Sequence, residues 1–212
     1  MTEEVVSLVN QSWPGNRPGF WSSVALVCIG LGYVILLAAG FARHGLREPI
    51  TDPILALMEI LTLASAPAIV TLMAAIHDHA SPERKVYGLA AQAFGTLCAG
   101  TTSAVHFMEL TAARQLESGG IVWPSRTYAA ELLAWDVFLG LALVFAAPVF
   151  HREQERAVRL ALWLCGSLCL AGTIGPAIGN MRLQLIGVLG YAGVLPFVSF
   201  LLARLFARES LG

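Results

Sequence analysis

The chain has 212 residues, of which 57% are hydrophobic and only 13% are charged, and its formal net charge at pH 7 is −1. Soluble globular domains average about 45–50% apolar and about 25% charged residues, so this composition excludes an ordinary soluble domain and predicts a membrane protein. A net charge so close to zero also leaves no basic surface that would attract nucleic acid.

The first 20 residues are acidic at their start, with Glu3 and Glu4, and have no sustained apolar core. They therefore do not resemble a cleaved signal peptide. We expect a short interfacial helix here, capped by Thr2 and lying on the membrane surface, with Trp13 and Trp21 at the depth of the lipid headgroups.

The remainder of the chain divides into apolar segments close to the roughly 20 residues that cross a bilayer as a helix. Charged or turn-forming residues separate them. The sequence predicts an all-α polytopic membrane protein, a single domain over 1–212 with six transmembrane helices at about 22–42, 53–76, 86–112, 129–150, 157–178 and 183–206.

The orientation follows from the basic residues of the loops, which accumulate on the cytoplasmic side of inner-membrane proteins. Eight lysine and arginine residues lie on the side of the N-terminus and five on the opposite side. This distribution favours a multi-pass protein of the bacterial inner membrane with both termini in the cytoplasm.

Ionisable residues inside the predicted spans are the best indication of a functional site, because charge at membrane depth is costly and usually faces a cavity or a partner. His106 and Glu109 are three residues apart and share a helix face. The predicted topology places them in the outer half of the bundle together with Glu59, Asp136 and the first residues of the sixth span, including Arg182.

This cluster favours a polar pocket that binds, with or without transport, a small or lipidic ligand. Glu59 and Asp136 would be its buried acids, His106 a titrating partner and Arg182 the counter-charge. Glu109 would complete the set of ligand-binding residues.

A metal-dependent membrane enzyme is the main alternative. Carboxylates and imidazole from different helices form metal sites in helical bundles, and His106, Glu109, Glu59 and Asp136 could hold zinc or iron. No nucleophile elbow, glycine-rich phosphate loop or His-Glu-x-x-His motif accompanies them.

Other cofactors have less support. The only lysine, Lys85, lies beside a polar loop, so no intramembrane lysine could form a retinal Schiff base. Haem would need paired histidines, but His44, His77, His79 and His151 stand at span ends beside charged residues, where solvated side chains are the simpler interpretation.

A non-catalytic role is also open. The same polar residues could form a buried network that only fixes helix register. Small residues at Gly187, Gly190 and Gly193 would allow close helix packing or a homo-oligomer interface, so an accessory subunit of a larger membrane complex is a further possibility. The four cysteines, Cys28, Cys98, Cys165 and Cys169, are expected to be small buried apolar residues.

Three short motifs, Phe107-Met-Glu-Leu-Thr111, Trp135-Asp136 and Ala146-Ala-Pro-Val-Phe150, resemble a group of small bacterial integral membrane proteins of unknown function. The likeness covers roughly the second to fourth spans. It implies a six-helix membrane protein and carries no activity, cofactor or catalytic residue with it.

Overall fold

A computed structural model describes residues 16–45, 50–116 and 123–209 of the chain. Regular structure in these ranges is entirely helical, which confirms the all-α class. The interfacial helix expected at the N-terminus falls on residues 1–15, outside the described residues.

Six long helices make up the described structure. Their bounds are α1 (Arg17–His44), α2 (Ile54–His79), α3 (Lys85–Met108), α4 (Arg126–Val149), α5 (Glu153–Ala177) and α6 (Met181–Arg208). Five of them, all except α3, are long and apolar enough to cross a membrane in the described part of the chain. Small and polar residues lower the hydropathy of α3, so the structure supports membrane spans without establishing six.

The helices form a closed ring in chain order. Each helix packs on the next, and α6 returns to pack on α1, chiefly through its Leu195–Glu209 part. Consecutive helices run in opposite directions because the connections between them are short. We call the side that holds the start of α1 and the end of α6 the proximal side, and the opposite side the distal side.

Side chains at the helix starts fix where the helices begin. The Asn16 side chain accepts a hydrogen bond from Gly19 N at 3.0 Å and donates one to Ala75 O at 3.0 Å, which caps α1 and ties it to α2. Ser125 caps α4 by accepting from Tyr128 N at 3.1 Å, and Asn180 caps α6 by accepting from Arg182 N at 3.2 Å.

The proximal half holds the largest apolar side chains. Phe150 and Phe206 are fully buried there, and the His79 ring stacks on Phe150 with its centroid 5.3 Å away. His79 Nε2 lies 3.2 Å from Glu155 Oε1, so this buried carboxylate has a partner between α2 and α5.

Small residues bring α5 close to its two neighbours. A Cβ atom on Gly166 would lie 2.8 Å from Gly140 O of α4, and one on Gly190 of α6 would lie 2.9 Å from Cys169 Sγ. Cys165 Sγ donates a hydrogen bond to Gly190 O at 3.2 Å. Gly187 and Gly190 therefore serve close packing inside the chain.

The cysteines are all free thiols. Cys98, Cys165 and Cys169 are buried, as expected for small apolar residues. Cys28 is exposed, so its predicted burial was wrong: it lies on the face of α1 that is turned away from the bundle.

Three helices contain π-helical segments, all in their distal parts. These are Glu109–Ala113 at the end of α3, Leu133–Leu139 in α4 and Leu189–Val194 in α6. Backbone hydrogen bonding from residue i to i+5 is rare in proteins, and where it occurs it is often near a functional site. We therefore expect a functional site in the distal half.

We expect Gly166→Ala to lower the free energy of unfolding by about 1–3 kcal/mol, because the new methyl group would meet Gly140 O and Val144 N, which are backbone atoms that cannot rotate away. Gly100→Ala is the matched control, since nothing lies within 4 Å of its added Cβ and alanine favours a helix by up to about 1 kcal/mol. Thermal unfolding in detergent measures both. Equal melting temperatures for the two variants would contradict the close α4–α5 contact.

Candidate functional site

A cavity of about 220 Å³ lies in the distal half, between five of the helices. It begins where α1 and α6 cross, because Gly30 has no side chain and a Cβ there would lie 2.5 Å from Pro196 Cγ. Beyond this crossing α1 has few contacts with α6, and the space between them is the cavity.

Apolar side chains make up most of the wall, and polar ones come from every helix except α5. The polar and aromatic lining residues are Tyr33 of α1, Glu59, Thr62 and Ser65 of α2, His106 of α3, Tyr128, Glu131 and Trp135 of α4, and Tyr191 of α6.

Arg114, one turn beyond the end of α3, holds the distal side of α2 and α3 together. Its Nη1 lies 2.8 Å from Glu59 Oε2 and also donates to Glu109 O at 2.6 Å. Its Nε and Nη2 donate to the two carboxylate oxygens of Asp52, each at 3.1 Å. Glu59 is almost fully buried, with 3% of its side chain exposed, so Arg114 supplies the counter-charge that such a carboxylate needs.

The contact between Arg114 and Asp52 depends on pH. Hydrogen bonds from Arg114 hold the pKa of the Asp52 carboxyl group below its ordinary value, with a smaller contribution from Ala56 N. A lowered pKa means that the pairing stabilises the fold above the ordinary aspartate pKa of about 4. The stabilisation is lost as the pH falls through the lowered value. More than half of the Asp52 side chain is exposed, so water weakens this effect.

His106 and Glu131 form the second polar pair of the cavity. His106 Nε2 lies 2.8 Å from Glu131 Oε1, across the α3–α4 contact. His106 is 5% exposed, and neither its Nδ1 nor Glu131 Oε2 has a hydrogen-bond partner in the described part of the chain. Each of these buried atoms could therefore interact with a bound molecule.

Aromatic rings surround this pair. The rings of Trp135 and Tyr191 are in contact, with their centroids 5.5 Å apart and their planes tilted by 52°. Tyr33 and Tyr128 both lie within electrostatic reach of Glu131. Aromatic rings and carboxyl groups therefore line the same cavity.

Asp136 is on another face of α4, outside the cavity lining. It is fully buried where α5 and α6 meet α4, and a Cβ on Gly187 or Gly172 would come within 2.4 or 3.0 Å of its carboxyl oxygens. Neither oxygen accepts a hydrogen bond from the described residues, although the buried Gln184 amide is near enough to act on the carboxyl group. Gln184 Nε2 in turn donates to Tyr191 OH at 3.1 Å, which connects Asp136 to the cavity wall.

The predicted site residues are thus divided. Glu59 and His106 line the cavity. Glu109 is 6% exposed but lies at the end of α3 outside the lining. Asp136 faces α5 and α6, and Arg182 is exposed on the first turn of α6. The counter-charge beside Glu59 is Arg114 and not Arg182.

Arg114 and Glu131 were not among the predicted site residues. Arg114 follows Glu109 by five residues and was placed in the loop after the third span, because apolar residues end before it. The sequence did contain one indication of its role: near the end of the third helix, no other basic residue is available to balance the charge of Glu59. The aromatic lining residues carry no sequence signal, since tyrosine and tryptophan are common at membrane interfaces.

The metal hypothesis needs its four ligands in one place. No group of three or more histidine, cysteine, aspartate or glutamate side chains within the described ranges has the geometry to hold a metal ion. Glu59 is instead occupied by Arg114, and His106 by Glu131.

Comparison of the chain with protein-family models, with curated proteins and with solved structures gave no match. The cavity and the residues around it are therefore the basis for assigning a function.

We expect Arg114→Gln to reduce the free energy of unfolding by roughly 2–4 kcal/mol, because it leaves the Glu59 carboxylate buried without a counter-charge. Adding Glu59→Gln should restore part of the loss, since the uncompensated charge is then removed. Arg182→Gln, an exposed arginine, is the control and should change stability by less than about 0.5 kcal/mol. Denaturation of the four proteins in detergent gives the coupling energy, and additive effects would show that Arg114 and Glu59 do not interact.

Proposed function

We propose that this protein is an integral membrane protein that binds a small molecule non-covalently in the distal cavity. The observation that carries the proposal is a cavity of about 220 Å³ between membrane-length helices, with two carboxyl groups, an imidazole and four aromatic side chains in its wall. Mostly apolar pockets with a few convergent polar groups are the usual form of ligand sites.

The burial of unpartnered polar atoms supports the same proposal. A network that served only to fix helix register would be expected to satisfy its members, because an unpaired polar atom in a low-dielectric interior is costly. Here His106 Nδ1, Glu131 Oε2 and Trp135 Nε1 all lack partners among the described residues, and all three residues line the cavity. A bound molecule would provide those partners.

The size of the cavity favours a small ligand over a whole lipid. Pockets for drug-sized molecules range from about 300 to 1,000 Å³, and this cavity lies below that range. We therefore propose a compact molecule with an apolar body and at least one polar group.

We further propose that α3 crosses the membrane with the other five helices. It is 24 residues long and lies in the ring between α2 and α4, so its polar residues can be covered by its neighbours. Six spans place both termini on the proximal side. That side carries eight of the 13 basic residues, so we propose that it faces the cytoplasm of a bacterial cell, as the likeness to small bacterial membrane proteins also suggests.

Filling the cavity should abolish binding. Ala192 lines the cavity, so Ala192→Phe places a phenyl ring in it, whereas Ala38→Phe adds the same ring to the exposed face of α1. We expect mass spectrometry of small molecules extracted from the purified proteins to find a near-stoichiometric compound with the wild type and Ala38→Phe, and to find it lost with Ala192→Phe. Identical extracts from all three proteins would count against the proposal.

The topology has its own test. A fluorescent protein fused after residue 212 should fluoresce and alkaline phosphatase at the same position should be inactive, since the proposed C-terminus is cytoplasmic. The same two reporters inserted after residue 119, between α3 and α4, should give the reverse result. Reporters inserted after residue 81, between α2 and α3, should behave as they do at the C-terminus, and equal signals at residues 81 and 119 would show that α3 does not cross.

A further inference from the structure

We infer that the molecule held in the distal cavity is a small organic amine in its protonated form, and that it binds in exchange for the proton of the His106–Glu131 pair. The inference rests on the proposed function, because it names the chemical class of ligand for that cavity. Four observations carry it: the negative charge of the lining, two buried acceptor atoms without partners, the aromatic wall, and the possible loss of a proton from His106.

The lining is rich in negative charge. Glu59 and Glu131 both line the cavity, and no lysine or arginine among the described residues does so. Arg114 compensates Glu59 from outside the lining and is shared with Asp52. Within the described ranges, Glu131 pairs with the His106 imidazole, which is charged only when protonated. When His106 is neutral, the cavity therefore contains one carboxylate without a counter-charge.

Two buried acceptor atoms of the pair have no partner and would suit a ligand that donates hydrogen bonds. With a neutral imidazole, His106 Nε2 donates its proton to Glu131 Oε1, and Nδ1 is left as an acceptor. Nδ1 and Glu131 Oε2 are both buried without hydrogen-bond partners in the described structure. An ammonium group has up to three N–H donors and no acceptor, so it can satisfy both atoms and also supply the missing charge.

The aromatic wall adds to the attraction for a cation. Trp135 and Tyr191 lie 5.5 Å apart, centroid to centroid, and Tyr33 and Tyr128 complete the polar end of the lining. The faces of these rings carry partial negative charge, and cages of this kind bind ammonium groups more strongly when water is excluded. The apolar residues of α1, α2 and α6 would hold the body of the amine.

Exchange of a proton for the bound amine depends on the groups that surround the His106–Glu131 pair. The other titratable groups around it are Tyr33 on α1, Glu59 on α2, Cys98 and Glu109 on α3 with Arg114 beyond it, Tyr128 and Asp136 on α4, Cys169 on α5, and Tyr191 on α6.

Tyrosine and cysteine side chains are neutral near pH 7, and Glu59 has Arg114 as its fixed partner. Asp136 lies on a different face of α4, between Gly172 and Gly187. The His106–Glu131 pair is thus the part of the lining whose net charge depends on whether an imidazole is protonated. A cation that enters beside Glu131 displaces the charge on His106, and one proton leaves for each amine bound.

Calorimetric titration of the full-length protein in a maltoside detergent tests the inference. The probes are benzylammonium, benzyl alcohol and benzoate, which share an aromatic body and differ in charge. The benzoate anion is included because Trp135 Nε1 is an unpartnered donor that would suit it.

We expect benzylammonium to bind at least about tenfold more tightly than benzyl alcohol, and benzoate to bind weakest. The affinity for benzylammonium should rise with pH, by up to about tenfold per pH unit as long as His106 is protonated in the free protein and one proton is released, and that for the alcohol should not. Neither measurement requires a variant.

Two variants test whether Glu131 recognises the amine. Glu131→Gln should lower the affinity for benzylammonium at least about tenfold and leave that for benzyl alcohol unchanged. Glu153→Gln, the same change at an exposed proximal residue, should alter neither.

Three results would overturn the inference. If benzyl alcohol or benzoate binds as tightly as the amine, or if the amine shows no pH dependence, the cavity binds small molecules but the ligand class is wrong. If Glu131→Gln is folded and keeps the affinity for the amine, the carboxylate is not the recognition group. If no probe binds, or if all bind equally well to Ala192→Phe, the proposed binding function fails together with the ligand class.

Discussion

The need to compensate charge inside a low-dielectric bundle governs the distal half of this protein. The Arg114 guanidinium contacts three chain segments at once: the start of α2 through Asp52, the interior of α2 through Glu59 and the end of α3 through a backbone carbonyl. An isolated carboxylate at the position of Glu59 would cost several kcal/mol, and this one cation both compensates it and joins the distal parts of α2 and α3. Glu59 of α2 and His106 of α3 both line the cavity, so this junction supports the cavity wall.

The two halves of the bundle are built on different principles. The proximal half buries large apolar side chains such as Phe150 and Phe206, and it holds a deeply buried acid, Glu155, between His79 and the backbone N–H of Arg152. The distal half has most of the buried polar atoms that lack partners in the described structure, and it has π-helical turns in three helices. Stable packing on one side allows incomplete packing on the other, because a functional site is generally supported by structure elsewhere in the fold.

Much of the architecture could be predicted from the sequence, because apolar segments of membrane length are unambiguous. The helices of the structure contain or closely match the predicted spans, and the convergence of Glu59 and His106 followed from topology alone. Side-chain direction could not be predicted. A π-helical segment runs from Leu133 to Leu139, and Asp136 within it faces α5 and α6 instead of the cavity. Arg114 was assigned to a loop because hydropathy ends a span at the last apolar residue, although the backbone continues as a helix beyond it.

The closure of the ring by α6 has a consequence for biogenesis. Synthesis proceeds from the N-terminus, so α1 enters the bilayer long before the helix that covers its small residues. Gly19 is in contact with Phe206 and Gly30 with Pro196, while Ser22 and Ser23 are buried in the finished bundle. Until α6 emerges from the ribosome, this face of α1 has only lipid or a chaperone to cover it. The cavity lacks one wall for the same interval, so it is complete only after α6 has inserted.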